Sequence, residues 1–125
     1  MNDKRKHMRL SITMPCEIEI KNQMRLSGET KNMSFGGVYV ELYDEFDFSK
    51  DNELDFILNL NGKSGLAIRF RCRVAHICHA GVGLKFVMIF GLDGYDHFKN
   101  IMIMNSDDPN QLLEELKKNP GIIVE

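Results

Sequence analysis

The chain has 125 residues, of which 43% are hydrophobic and 27% are charged, as expected for one globular domain with its own core. The formal net charge is −2, so the whole chain does not attract polyanions and any anion-binding site must be local. No apolar stretch approaches the ~18 residues of a membrane span, and the first residues lack the apolar segment of a signal peptide. The odd number of cysteines, three, favours reduced thiols and a cytoplasmic protein.

Alternating apolar and polar residues predict six short β-strands, preceded by a polar, basic and flexible arm over residues 1–10. The strands cover approximately residues 12–20, 24–30, 38–42, 54–60, 68–78 and 84–90. One face of the fifth strand is predicted to hold Ile68, Phe70, Cys72, Val74, His76 and Cys78. Residues 31–37 and the pair Asn61-Gly62 have the composition of turns. Six such strands indicate an antiparallel barrel or sandwich.

After Gly91 the apolar spacing becomes that of a helix, with Tyr95, Phe98, Ile101 and Met102 on one face. A second helix is expected to begin near Pro109, to share Leu112, Leu113 and Leu116 on one side, and to end at residues 119–121. The apolar tail 122–124 either packs on the domain or is loose. The predicted organisation is therefore an arm over 1–10, a barrel over 11–92 and a helical segment over 93–125.

Three chemical functions are disfavoured by the spacing of the residues that would carry them. Cys72, His76, Cys78 and His79 include metal-ligand types, but Cys72 and Cys78 would lie ~20 Å apart along a strand, so no metal site is predicted. Residues 61–64 resemble the end of a phosphate-binding loop, yet Ile57 stands where its first glycine belongs. The histidines are scattered and no serine or cysteine has an activating neighbour, so we predict neither catalytic residues nor a cofactor.

Two short motifs remain, and both lie directly before predicted strands. Arg5 and Arg9 form R-x-x-x-R before the first strand, and Asn32, Ser34 and Gly37 form N-x-S-x-x-G before the third. Each motif alone is common, but the two in this order and at these distances from the strands are specific. Arginine can form a fork of hydrogen bonds to a guanine edge or to phosphate, and glycine permits a close approach of the backbone.

From Lys4 to about Tyr95 the sequence resembles the PilZ family, through these two motifs and through Arg73–His76 followed by Gly81–Phe86. The resemblance implies a mainly β fold, a six-stranded antiparallel β-barrel with C-terminal helices, that binds the bacterial second messenger cyclic di-GMP. It implies that the ligand is bound by Arg5, Arg9, Asn32, Ser34 and Gly37. Lys4 and Lys6 are auxiliary candidates through screened charge attraction, and Gly36 is a third auxiliary candidate. Asn32 supplies an amide where the motif takes Asp or Asn, and the loss of a carboxylate acceptor is expected to reduce affinity or guanine preference.

The leading functional hypothesis is a receptor, not an enzyme, that relays cyclic di-GMP to an unknown protein effector, with no nucleic-acid partner and no membrane insertion. Ligand binding is expected to order the arm, because residues 1–9 contain little apolar surface to hold them in place. Two alternatives stay open: a PilZ-like scaffold that binds a protein without nucleotide, and a small barrel that binds flavin or nucleic acid. A yellow colour of the purified protein would favour flavin.

Overall fold

The computed structural model describes residues 7–21, 24–60, 66–119 and 122–125. In the described residues the secondary-structure elements are, in chain order, β1 (Pro15–Ile20), β2 (Met24–Met33), β3 (Gly37–Leu42), β4 (Glu53–Asn59), β5 (Ala67–Ile77), β6 (Gly81–Ile89), α1 (Leu92–Asn105), α2 (Pro109–Lys118) and β7 (Ile123–Val124). The predicted Asn61-Gly62 turn, the phosphate-loop-like residues 61–64 and the helix stop at 120–121 lie outside the described residues.

The first six strands form a closed antiparallel barrel, which confirms the predicted fold. The strand order is β3-β2-β1-β4-β5-β6, and the antiparallel pairing of β3 with β6 closes the barrel. The seventh strand, β7, pairs in parallel with the end of β6, so the apolar tail does pack on the domain. The fold thereby places the beginning of β3 beside β6, although the two strands are far apart in sequence.

The core is filled by the inward-facing residues of the strands and sealed by α1. Phe70 and Phe86 stack with ring centroids 4.5 Å apart, and the fully buried Phe98 of α1 meets them edge to face at 5.1 and 5.6 Å. Met102, one turn later on α1, is also buried. The helical face predicted from the spacing of apolar residues is therefore the face that packs on the barrel.

The second helix is capped and docked largely as its sequence predicts. Pro109 occupies the first turn, and the Asp108 carboxylate accepts a hydrogen bond from the Gln111 N–H at 3.1 Å. Leu112 is fully buried, whereas Leu113 remains 37% exposed. Of the two adjacent leucines, Leu112 therefore anchors α2 to the core.

A β-bulge lies where the sequence suggested the beginning of a turn. Thr30 is buried, and in a regular strand Asn32, two residues later, would point inward as well. Lys31, however, is an extra residue in the pairing of β2 with β3. The bulge reverses the alternation, so that Met33 is buried and Asn32 faces outward. The prediction of a turn over the whole of 31–37 was therefore wrong, because β2 continues through Met33.

A second bulge corrects the predicted face of the fifth strand. The alternation holds as far as Val74, which is fully buried, but Ala75 is then an extra residue in the pairing with β6. His76 and Cys78, which were predicted to share one strand face with Val74, are exposed instead. The bulge thus brings an imidazole to the outer surface of the barrel.

The outer surface of β1, β4 and β5 carries arginines that are paired with carboxylates. Arg69 contacts Asp55 at 2.6 Å and Glu19 at 3.0 Å, and Arg71 contacts Asp55 at 2.7 Å. The hydrogen bond from Arg69 lowers the pKa of the Glu19 carboxyl below its usual value. These arginines have their charge neutralised locally and are poor candidates for binding an external anion.

Candidate ligand-binding site

A cleft of about 340 Å³ opens on the outer surface of the barrel where β3 meets β6. Its walls are the segment before β1, the β2–β3 turn and parts of β3, β5 and β6. This volume lies within the usual range for small-molecule sites. The cleft contains both of the outward-facing residues that follow the bulges, Asn32 and His76.

The strand register explains how these two residues reach the same cleft. Asn32 of β2 is paired with Tyr39 of β3, Tyr39 with Gly83 of β6, and Gly83 with His76 of β5. These four residues form one row across four strands. Without its bulge, either Asn32 or His76 would point toward the core rather than into the cleft.

Glycine at position 83 makes room for the histidine ring in this row. A Cβ at Gly83 would overlap the His76 imidazole, so the ring lies directly on the glycine backbone. Next to it, burial raises the pKa of Tyr39 above its usual value, and a hydrogen bond with Cys78 acts in the same direction. Tyr39 therefore stays protonated at neutral pH, and the row presents no negative charge to a ligand.

Ser34 organises the turn that forms one wall of the cleft. Its hydroxyl oxygen accepts hydrogen bonds from the N–H groups of Gly36 at 3.0 Å and Gly37 at 3.2 Å, and the Ser34 N–H donates to the Gly37 carbonyl at 2.9 Å. Among the described residues the hydroxyl hydrogen has no acceptor, so it is free to donate to a ligand. Ser34 thus has a structural role as an acceptor and keeps its hydroxyl hydrogen available as a donor.

Gly37, which lines the cleft, is required by the closure of the barrel. A Cβ there would overlap the carbonyl oxygen of Leu84 and would lie 3.3 Å from its carbonyl carbon. Since this contact is between backbones, no side-chain rotation can relieve it. The glycine of the second motif is therefore accounted for by strand packing alone.

The segment before β1 forms the opposite wall. Leu10 is buried and exchanges two backbone hydrogen bonds with Met33, at 2.7 and 2.9 Å. Arg9 lies in the cleft, and the buried His7 lines it as well. Arg5, Lys4 and Lys6, which were predicted to contribute, lie outside the described residues. The flexibility predicted for residues 1–10 stays a prediction.

The cleft differs electrostatically from the rest of the barrel. Its described lining contains Arg9, Lys85 and two histidines but no Asp or Glu. Neither the Arg9 guanidinium nor the Lys85 ammonium forms an ion pair with any described residue, in contrast to Arg69 and Arg71. Within a chain of net charge −2, this cleft thus holds two cations, Arg9 and Lys85, that no described carboxylate neutralises.

The structure brings together most, but not all, of the residues predicted from sequence. Arg9, Asn32, Ser34, Gly36 and Gly37 line one cleft. Sequence reasoning missed His7, Tyr39 and Lys85, and it left His76 unassigned. Of these, only His7 had a signal in the sequence, its position between the two arginines of the first motif.

In the described ranges no three His, Cys, Asp or Glu side chains converge as they would around a metal ion, and no helix is long and apolar enough to span a membrane.

The closed barrel and the cleft lined by Arg9 and the second motif point to one class of domain. The PilZ domain family model matches residues 3–93, and the chain belongs to this family. A comparison with curated proteins finds no match.

Solved structures of the same fold include members from several bacteria. The PilZ domain of YcgR from Escherichia coli, solved with cyclic di-GMP, has a TM-score of 0.64 at 12% identity, with 94% of this chain and 98% of that chain covered. The inhibitor of motility MotI from Bacillus subtilis has a TM-score of 0.64 at 18% identity, with 85% of this chain covered. The PilZ domain of CeSA from a cellulose-synthesizing bacterium has a TM-score of 0.61 at 15% identity, covering 79% and 99%. The match spans 54% of MotI, about half of that protein.

Proposed function

We propose that the cleft binds cyclic di-GMP and that the chain is a receptor for this second messenger. The observation that carries the proposal is that Arg9 and Lys85, which form no ion pair with a described residue, lie in a cleft whose described lining has no carboxylate. Membership of the PilZ family supports the choice of ligand, as does the similarity to a YcgR domain solved with cyclic di-GMP. Cyclic di-GMP carries two phosphates and two guanines, so it needs both cations and hydrogen-bonding edges.

Each proposed contact follows from the chemistry of the side chain. Arg9 can donate in parallel to guanine O6 and N7 or to phosphate oxygens. Asn32 offers both an amide donor and a carbonyl acceptor, and Ser34 offers its hydroxyl hydrogen. We assign Arg5 a role equivalent to that of Arg9 from the motif. Lys85 adds a positive charge on the β6 wall that neither motif includes.

The output of the receptor is proposed to be a protein–protein interaction rather than a reaction. We infer an adaptor that acts in the cytoplasm, where a soluble second messenger would reach it, without a resident cofactor. The family supports a receptor and adaptor role. The effector would recognise the surface that changes when the ligand and the arm come together.

Calorimetric titration with cyclic di-GMP tests the proposal. We expect micromolar affinity or better, roughly 8 kcal/mol of binding free energy. Arg9→Ala should weaken binding by about 1.5–3 kcal/mol, the range for charge-assisted hydrogen bonds, and Arg9→Lys should recover only part of it. Arg25→Ala is the matched control, because it removes the same charge from an arginine that pairs with Glu17 and Glu19 away from the cleft.

Cyclic di-AMP provides a control for base recognition. It has the same phosphate ring but replaces the guanine O6 acceptor by an amino group, so it should bind more weakly. No measurable heat with cyclic di-GMP at high-micromolar concentrations would refute the proposal and favour the nucleotide-free scaffold. Equal weakening by Arg9→Ala and Arg25→Ala would show that the ligand does not bind in this cleft.

A further inference from the structure

His7 connects the cleft to the end of helix α2. Its imidazole Nε2 lies 2.5 Å from the backbone carbonyl oxygen of Asn119, although the two residues are 112 positions apart in sequence. The His7 side chain is buried, and its ring also lines the cleft beside Arg9. A single side chain is thus in contact with the proposed ligand site and with the helical segment.

The carbonyl that His7 contacts is one that needs a partner from outside its helix. Asn119 is the C-cap of α2, and the last carbonyls of a helix have no N–H group further along the helix. An imidazole N–H satisfies such a group, and the partial negative charge at the helix end favours the contact. Leu112 packs α2 onto the core, so the helix that presents the Asn119 carbonyl is anchored to the barrel.

The β2–β3 turn is shaped to accept the ring. A Cβ at Gly36 would lie 2.9 Å from the His7 Nδ1, closer than side chains tolerate, so only glycine leaves space for the imidazole in this position. Gly36 is itself held by its hydrogen bond to the Ser34 hydroxyl. The ring is therefore enclosed between the cleft-forming turn and the end of α2.

The position of His7 in the first motif gives this contact a consequence for binding. Leu10 anchors the segment to β2 on one side of Arg9, and His7 anchors it to α2 on the other. Arg5 stands two residues before His7 and Arg9 two residues after it. Arg9 lies between these two anchors, and a segment fixed at both ends loses less conformational freedom when its arginine grips a ligand than a segment fixed at one end.

We propose that His7 is a positioning residue, which braces the arginine motif against the end of α2 and thereby couples ligand binding to that helix. This inference rests on the proposed binding of cyclic di-GMP. Because coupling between two sites is reciprocal, a helix end that favours binding must itself be stabilised when the ligand is bound. The last turn of α2 is then the part of the helical segment that responds to the ligand.

The test compares two substitutions that differ in hydrogen bonding. His7→Leu removes the donor, and His7→Gln retains an amide N–H at a similar reach. We expect His7→Leu to weaken cyclic di-GMP binding about 3- to 10-fold, the effect of one lost hydrogen bond, and His7→Gln to restore most of it. His97→Leu, at an exposed position on α1, is the matched control and should bind like the wild type.

Amide hydrogen exchange of the wild-type protein gives a second measurement that does not depend on any variant folding. Residues 116–119 should exchange more slowly when cyclic di-GMP is saturating, and the change should be absent in His7→Leu. Unchanged or faster exchange of these amides in the wild type would overturn the inference, as would wild-type affinity in a folded His7→Leu protein. If wild-type protein itself fails to bind, the proposed function is refuted and the role of His7 is refuted with it.

Discussion

Replacing Gly37 by alanine is expected to destabilise the entire barrel and not only the ligand site. The added Cβ would overlap the Leu84 carbonyl oxygen, and the pair of strands that it would force apart, β3 and β6, closes the barrel. An overpacked site costs about 1–3 kcal/mol, and weakening one adjacent backbone hydrogen bond adds about 1 kcal/mol. We therefore expect a loss of about 2–4 kcal/mol, or roughly 8–16 °C in melting temperature for a domain of this size.

Thermal unfolding followed by circular dichroism measures this effect, and Gly94→Ala is the control. Gly94 lies in the first turn of α1, where an added Cβ would have its nearest neighbour, the Ile68 Cγ2, at an ordinary 3.4 Å. Alanine in a helix is favoured over glycine by up to about 1 kcal/mol, so Gly94→Ala should melt at or above the wild-type temperature. A Gly37→Ala protein that melts with the wild type would refute the reasoning from strand packing.

Three further predictions concern the cleft and the cysteines. Ser34→Ala removes the acceptor of two backbone N–H groups, so urea denaturation should show a free energy of unfolding lower by about 1–2 kcal/mol. The substitution should weaken cyclic di-GMP binding less than Arg9→Ala does. Unchanged stability would contradict the role given to the hydroxyl. Lys85→Ala should weaken binding about 3- to 10-fold in calorimetry and reduce its dependence on salt, whereas a salt dependence equal to that of the wild type would place Lys85 outside the site. Of the three thiols, only Cys78 should react rapidly with Ellman's reagent in the folded protein. Burial raises the pKa of the Cys16 thiol to about 12 and also raises the pKa of the Cys72 thiol, so neither forms the reactive thiolate readily. Fast reaction of more than one thiol would show that the core is more open than described.

The sequence was a good guide wherever side-chain alternation is regular. The strands around Phe70 and Phe86 and the helix face of Phe98 were predicted correctly, because burial of every second residue in a strand, or every third to fourth in a helix, leaves a periodic pattern. The two motifs, through the family resemblance they carry, also indicated the barrel.

The errors occurred where one residue changes the alternation. Nothing in the sequence around Lys31 or Ala75 marks a bulge, so Asn32 was assigned to a turn and His76 to the same strand face as Val74. Lys85 could not be assigned to the cleft for a different reason. Its distance from Arg9 in sequence is large, and only the pairing of β3 with β6 brings its strand to the second motif.

The short strand β7 has a consequence for handling the protein. One edge of β6 is covered in two parts, by β3 along Gly81–Lys85 and by β7 at Met88 and Ile89. Cleavage before residue 122 would leave the second part with unpaired backbone groups, next to the partly exposed ring of Phe90. Such an apolar free edge is a template for pairing with another molecule. Proteolytic trimming of these few residues should therefore promote aggregation, visible as increased light scattering, even while the barrel itself remains folded.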